Sequence, residues 1–240
     1  MITETVERGL KEFVSAAREV FAEELRSVVL FGSAAEERLR ASSDVNVMVV
    51  LARFEAEQAR RLGPALEAGR AAIRLQAMFV LEEELGAAAE AFAAKFGDIA
   101  RRHRVLWGAE LPAAARPPRE AMLANVRQTL LNLAIRLRQQ MVRRASHPDE
   151  LAVLAAETAG PLRAAAATLV QLEGGEVSSG KEALEKLVKE SGNAAWEQAL
   201  VHISRAREER VLTADAAQGT VDALLECAVW MRERAAGMSR

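Results

Sequence analysis

Two short apolar segments, separated by a Gly-Ser pair and an Asp-Val-Asn triplet, constrain the fold of this 240-residue chain more than any other feature. The first segment, residues 28–31, runs directly into Gly32-Ser33. After ten intervening residues, Asp44-Val45-Asn46 opens the second segment, residues 47–50. Uninterrupted apolar runs of this length are typical of buried β-strands. Because alternate side chains of a strand point to the same face, Asp44 and Asn46 are predicted to face one site.

This pattern resembles the signature of the DNA polymerase β-like nucleotidyltransferase superfamily, in which hydrophobic-Gly-(Gly/Ser) precedes Asp-hydrophobic-(Asp/Glu). A second stretch, from Phe96-Gly97-Asp98-Ile99 to Trp107-Gly108, is similar to a segment of stand-alone minimal nucleotidyltransferases. In those proteins the Phe-x-Asp-Ile motif lies on a strand, and a helical domain follows. The resemblance covers roughly residues 25–110. The rest of the chain matches only in architecture, that of the kanamycin nucleotidyltransferase type.

The resemblance implies transfer of a nucleoside monophosphate from a nucleoside triphosphate, with Mg²⁺ as the cofactor. In such reactions two divalent ions about 4 Å apart hold the attacking and leaving oxygens, and Mg²⁺ prefers oxygen ligands, carboxylates among them. Carried over to this sequence, Asp44 and Asn46 are the catalytic and metal-binding positions, and Gly32 and Ser33 bind the phosphates. A glycine lets the backbone approach a phosphate closely, and a helix beginning near Ala34 would add its N-terminal N–H groups.

Asn46 departs from the family pattern, because it stands where the resemblance implies a second acid. Its amide keeps a carbonyl oxygen but lacks the charge that attracts a dication. The resemblance implies a third carboxylate on a later strand, and the strand predicted over residues 73–80 contains no acid. Residues 82–84 are all glutamate, which is more typical of a first helical turn than of a metal site. The sequence therefore predicts a weak or absent magnesium site, unless the C-terminal region donates an acid such as Glu120, Glu150 or Glu157.

Strands that alternate with helices predict an α/β domain with a mixed sheet flanked by helices. Apolar spacing predicts helices over residues 4–24, 34–40, 55–70 and 82–92, strands over 27–31, 44–51 and 73–80, and a short extended segment with a turn over 95–108. Asp98 is interpreted as a structural residue at the sheet edge.

The proline-rich stretch 111–118 marks a boundary after a nucleotidyltransferase-like domain at residues 1–110. Beyond it, helices from about 119, near 149–172, 180–190, 193–210 and 214–236, predict an all-α helical bundle over 118–237.

Composition narrows the possible partners. A formal net charge of −2 argues against nonspecific nucleic-acid binding, which needs a basic field. The chain shows neither a signal peptide nor a long uncharged apolar stretch, so we expect a cytoplasmic protein without membrane contact. The densest basic cluster, residues 101–104, is interpreted as a solvated edge beside Trp107, with contact to a triphosphate or to RNA as the alternative. An RNase motif of Arg, four to six residues and His is absent, since only three residues separate Arg143 from His147.

Two functions are compatible with these features. We favour a catalytically degenerate protein that acts as a nucleotide-binding or partner-binding regulatory module, with the helical domain mediating homo-oligomerisation or contact with a protein partner. The alternative is a Mg²⁺-dependent enzyme that moves a nucleoside monophosphate to a hydroxyl of a small molecule or protein. The acceptor and the preferred base are not indicated by the sequence, because one fold hosts many activities.

Overall fold

The chain divides into two compact units, Met1–Pro118 and Arg119–Arg240. The computed structural model describes residues 4–35, 43–144, 147–177, 179–209 and 212–238. Within these residues the first unit holds all the strands, and the second unit is built from helices. No helix among the described residues combines the length and the apolar character needed to cross a membrane.

A mixed four-stranded sheet forms the centre of the first unit, with strand order β3-β2-β1-β4. The strands are β1 (Leu25–Phe31), β2 (Val45–Leu51), β3 (Leu75–Leu81) and β4 (His103–Gly108). Strand β1 runs antiparallel to both β2 and β4, whereas β2 and β3 are parallel. Valine, leucine and phenylalanine fill β1 and β2, as expected for strands that are buried on both faces.

Two pairs of helices cover the two faces of the sheet. Helices α1 (Glu4–Phe21) and α2 (Ala56–Ile73) cover one face, and the shorter α3 (Leu85–Ala91) and α4 (Ala93–Arg101) cover the other. Helix α2 is also the crossover that a parallel pair of strands requires. Short 3₁₀ turns lie at Ala22–Glu24, Gly32–Ala34, Glu82–Glu84 and Ala113–Ala115.

Each face of the sheet has its own apolar core. On the α1 side, Phe13 and Phe21 pack with Val47 and Val49 of β2. On the α3/α4 side, Phe96 and Ile99 pack with Met48 and Val50 of the same strand. Alternate residues of β2 therefore serve opposite cores, which is why the strand is continuously apolar.

The second unit contains the helices α5 (Arg119–Arg143), α6 (Pro148–Leu172), α7 (Gly180–Ser191), α8 (Ala194–Glu209) and α9 (Ala214–Gly237). Helix α9 packs against α5, α6 and α8, and α6 also packs against α7. Trp196 and Trp230 meet with their ring centroids 5.5 Å apart. Cys227 is buried, and desolvation raises the pKa of its thiol to about 12.

The predicted fold class is confirmed, with a mixed sheet flanked by helices followed by a helical region. Several local predictions were wrong. Phe96-Gly97-Asp98-Ile99 lies on helix α4 rather than on an extended segment, because Ala93, Phe96 and Ile99 at three-residue spacing are all buried. Ile73 ends α2 instead of opening a strand, and α1 ends at Phe21. Most of the helix predicted over 34–40 lies outside the described residues.

Gly108 provides a test of the β4 end of the sheet. Its φ is +84°, and a Cβ there would lie 2.1 Å from the Arg26 carbonyl oxygen. We predict that Gly108→Ala lowers the free energy of unfolding by about 1–3 kcal/mol, as measured by urea denaturation.

Gly86→Ala is the matched control, because a Cβ at this position of α3 meets no atom within 4 Å. It should leave stability unchanged or raise it by up to about 1 kcal/mol. Equal stability of the two variants would contradict the described end of β4.

Candidate functional site

The C-terminal end of β1 and the N-terminal ends of β2, β3 and β4 lie on the same side of the sheet. We call this side, where strands begin or end, the edge of the sheet; the term does not refer to an outer strand. Because β1 runs antiparallel to β2 and β4, its last residue lies beside the first residues of those two strands, and the parallel strand β3 begins beside β2. Phe31 pairs with Asn46 on one side and with His103 on the other, and Asn46 pairs with Gln76. Directly paired residues share a face of the sheet. We call this line of side chains, Gln76, Asn46, Phe31 and His103, the edge row.

The Gly32-Ser33 turn lies against the edge row. Gly32 follows β1 with a φ of +76°, in the left-handed region that favours glycine. A Cβ on Gly32 would lie 3.9 Å from Asn46 Nδ2. The Gly32 N–H donates to the Arg102 carbonyl at 3.3 Å, and Ser33 is half-buried. The structure thus brings Gly32, Ser33 and Asn46 together, although a 3₁₀ turn rather than an α-helix contains Ala34.

Asp44 is held by an arginine that the sequence analysis did not assign to the site. Arg74 Nε and Nη2 lie 3.1 and 3.0 Å from Asp44 Oδ1. Both residues stand immediately before the paired strand positions Val45 and Leu75, so the parallel register places them side by side. Asn46 Nδ2 donates to the backbone oxygen of Asp44 at 3.3 Å. Asp44 therefore faces the guanidinium of Arg74 in an exposed ion pair, directly beside the edge row.

Arg74 also has an unusual backbone. It is the C-cap of α2, with φ 55° and ψ 38°. This left-handed conformation is common one position past a helix but is usually filled by glycine. For another residue it costs about 1–2 kcal/mol.

The side chains at this edge do not fit a two-magnesium centre. Asp44 brings one carboxylate, Arg74 cancels its charge, and Asn46 and Gln76 are neutral amides. Among the described residues there is no group of three or more acidic, histidine or cysteine side chains that could hold a metal ion. Two neutral amides attract a divalent cation far less than the carboxylates that usually bind Mg²⁺.

The other acids considered from the sequence have different roles. Residues 82–84 follow the far end of β3, about 20 Å along the strand from Gln76. Glu82 pairs with Arg26, and the Glu84 carboxylate accepts the Leu81 N–H. In the second unit, Glu150 pairs with Arg144 and Glu157 pairs with Arg136, while Glu120 is exposed.

The basic cluster at residues 101–104 is largely paired with acids. Arg101 and Arg102 both contact Asp98 on α4, and Arg104 contacts Glu7 at 2.7 Å. Asp98 therefore stabilises the end of α4, and its predicted place at the sheet edge was wrong. Besides Arg74, a second cation described beside the edge row is Lys95, whose Nζ lies 5.7 Å from the Phe31 ring centroid.

His103 closes the edge row with two acceptors. Its Nδ1 lies 2.8 Å from the Ile99 carbonyl oxygen, and its Nε2 lies 2.5 Å from Glu110 Oε1. Both partners are hydrogen-bond acceptors, and together they orient the imidazole ring between the end of α4 and Glu110. The hydrogen bond from His103 lowers the pKa of Glu110 below its usual 4.5.

The mixed sheet of the first unit and the helices of the second unit form the fold that the sequence analysis predicts. No protein-family model matches the sequence, and no curated protein does. Among solved structures, the chain is similar to spectinomycin adenyltransferase AAD(9) from Enterococcus faecialis, determined with ATP and spectinomycin. The TM-score is 0.59 at 11% identity, and the match covers 93% of this chain and 99% of that one. This likeness confirms the fold that the sequence predicts.

The contact between His103 and Glu110 predicts that the free energy of unfolding depends on pH. Because the folded pKa of Glu110 lies below its unfolded value, the contact stabilises the fold above about pH 4.5 and loses this effect as the carboxylate protonates at lower pH. Since Glu110 is exposed, the effect stays below about 1 kcal/mol. In NMR titrations, the Glu110 carboxyl should titrate below its usual value in the wild type and return toward it in His103→Phe. An identical midpoint in both proteins would disprove the contact.

Proposed function

We propose that this protein binds a nucleoside triphosphate as a binding or regulatory module and does not catalyse magnesium-dependent transfer. The observation that carries this proposal is the pair of contacts from Arg74 to Asp44. The acid that the family pattern assigns to the metal is occupied by a side chain of the protein itself. In this proposal the guanidinium of Arg74 takes the place of a bound metal cation.

Electrostatics supports a phosphate ligand at this edge without metal. An arginine has five N–H donors in a planar fork, and such a fork suits phosphate oxygens. The two contacts to Asp44 use part of that fork, and the remaining donors are proposed to meet the triphosphate. Lys95, beside Phe31, adds a second positive charge near the Gly32-Ser33 turn. In this proposal Gly32 and Ser33 keep their predicted role as phosphate-binding residues.

The backbone of Arg74 also supports a functional role. Strained left-handed conformations in residues other than glycine cluster at binding and catalytic sites. The similar solved structure contains ATP, which at the level of fold is compatible with a nucleotide ligand. In the alternative function, Asp44 and Asn46 would hold Mg²⁺ weakly, and the protein would transfer a nucleoside monophosphate to a hydroxyl.

Titration calorimetry with ATP, GTP, CTP and UTP, in Mg²⁺ and in EDTA, tests the proposal. We expect at least one nucleotide to bind with the same affinity in both conditions. Arg74→Gln should weaken this binding about tenfold, because a charge-assisted hydrogen bond contributes about 1.5–3 kcal/mol. Arg60→Gln is the matched control, because Arg60 is exposed, pairs with Glu57 and lies on the same helix about 20 Å away.

The other outcomes separate the alternatives. Binding that requires Mg²⁺, with pyrophosphate released in the presence of an acceptor, would establish the enzyme. No binding of any nucleotide would contradict the proposed ligand and would direct attention to protein partners of the helical unit.

The edge row also predicts how a metal site could be restored. Asn46→Asp alone should raise Mg²⁺ affinity, and adding Gln76→Glu and Arg74→Gln should raise it further, because three carboxylates then face the ion without a competing guanidinium. Calorimetric titration with MgCl₂ measures the change. Gln128→Glu, which adds a charge on an exposed position of α5, should leave the affinity unchanged. Equal affinity in the triple variant and the wild type would show that the edge cannot assemble a metal site.

A further inference from the structure

A groove between α1 and β4 lies on the α1 side of the sheet, opposite the face of Asn46 and Gln76. Residues from Glu7 to Arg18 of α1 form one wall, and Arg104 to Trp107 of β4 form the other. The groove has a volume of about 390 Å³, which lies in the range of small-molecule sites. It is therefore separate from the proposed nucleotide site.

A β-bulge shapes the β4 wall of this groove. The register pairs Val28 with Trp107 but the next residue, Val29, with Val105, so Leu106 is an extra residue on β4. As a result Leu106 and Trp107, although consecutive, both pack against the core on the α1 side. Bulges of this kind re-aim side chains and are frequent beside functional sites. Together with Val14 of α1, these side chains give the groove an apolar floor.

The rim of the groove is cationic. Lys11, Arg18 and Arg104 line it together with a single carboxylate, Glu7. Arg104 already pairs with Glu7 at 2.7 Å. The guanidinium of Arg18 lies 5.5 Å from the centroid of the Trp107 ring. Within the part of the chain that the structure describes, Lys11 and Arg18 pair with no carboxylate, so two positive charges face the groove.

We propose that this groove binds a medium-chain carboxylate. Lys11 and Arg18 are two helical turns apart, about 10 Å along α1, and their long side chains can converge on one carboxylate. The acyl chain would lie on Val14 and Leu106. An aliphatic chain suits the floor better than an aromatic ring does, because Arg18 already covers the face of Trp107. Lys11 and Arg18 attract an anionic head group, and the apolar floor favours an anion that carries an alkyl chain over a bare anion.

NMR of the indole N–H groups tests this proposal with octanoate as the probe. The chain has three tryptophans, and only Trp107 lines the groove. Octanoate should shift the Trp107 signal in a saturable way and leave Trp196 and Trp230, both in the helical unit, unchanged. Octanol is the control that keeps the alkyl chain but lacks the negative charge. Inorganic phosphate is the control that keeps a negative charge but lacks the alkyl chain. Octanoate should bind at least tenfold more tightly than either.

Two variants locate the head group, and one serves as control. Lys11→Gln and Arg18→Gln should each weaken octanoate binding about tenfold, since each removes a charge-assisted contact. Arg8→Gln, at an exposed position of α1 outside the groove, should not change it. These are exposed helical positions, and dispersed amide spectra will verify that each variant is folded.

Three results would overturn the proposal. Octanol binding as tightly as octanoate would reveal an apolar surface without a carboxylate site. Phosphate binding as tightly as octanoate would reveal a bare cationic patch. Equal loss of affinity in Arg8→Gln and Arg18→Gln would show that general charge, and not the groove, attracts the ligand.

Discussion

The antiparallel pairing of β1 with both β2 and β4 is the constraint on which the candidate site depends. It places the last residue of β1 beside the first residues of β2 and β4, so that Gly32, Asn46 and His103 meet although they are far apart in sequence. The parallel pairing of β2 and β3 then fixes which residue stands beside Asp44. Both helical layers support this register by covering the faces of the sheet with separate apolar cores.

Charge distinguishes this edge from a metal centre. Where the family pattern has acids, the chain presents two amides, and a guanidinium satisfies the one carboxylate that is left. An ion pair at an exposed edge contributes little to stability, so stability alone does not account for the pairing of Arg74 with Asp44. In the proposed function, this pairing would remove the repulsion between a lone carboxylate and a phosphate.

The sequence was sufficient to predict the strands β1 and β2 and the helices of the second unit, because their apolar spacing is regular and long. It failed at α4, where the resemblance to a strand motif was preferred over the helical spacing of Ala93, Phe96 and Ile99. Arg74 and Gln76 were missed as site residues for a different reason. Their importance comes from the register between β2 and β3, and strand register depends on tertiary packing that one sequence does not display. The roles of Asp44, Asn46, Gly32 and Ser33 in binding stay predictions.

If Arg74 binds the ligand as proposed, its left-handed backbone sets stability and ligand binding against each other at a single position. Glycine would relax the end of α2 and would at the same time remove the guanidinium from Asp44. A directed-evolution experiment that rewards thermal stability alone would therefore tend to replace Arg74, whereas one that rewards ligand binding would tend to keep it. The identity of this residue in a selected population would report which property was under selection.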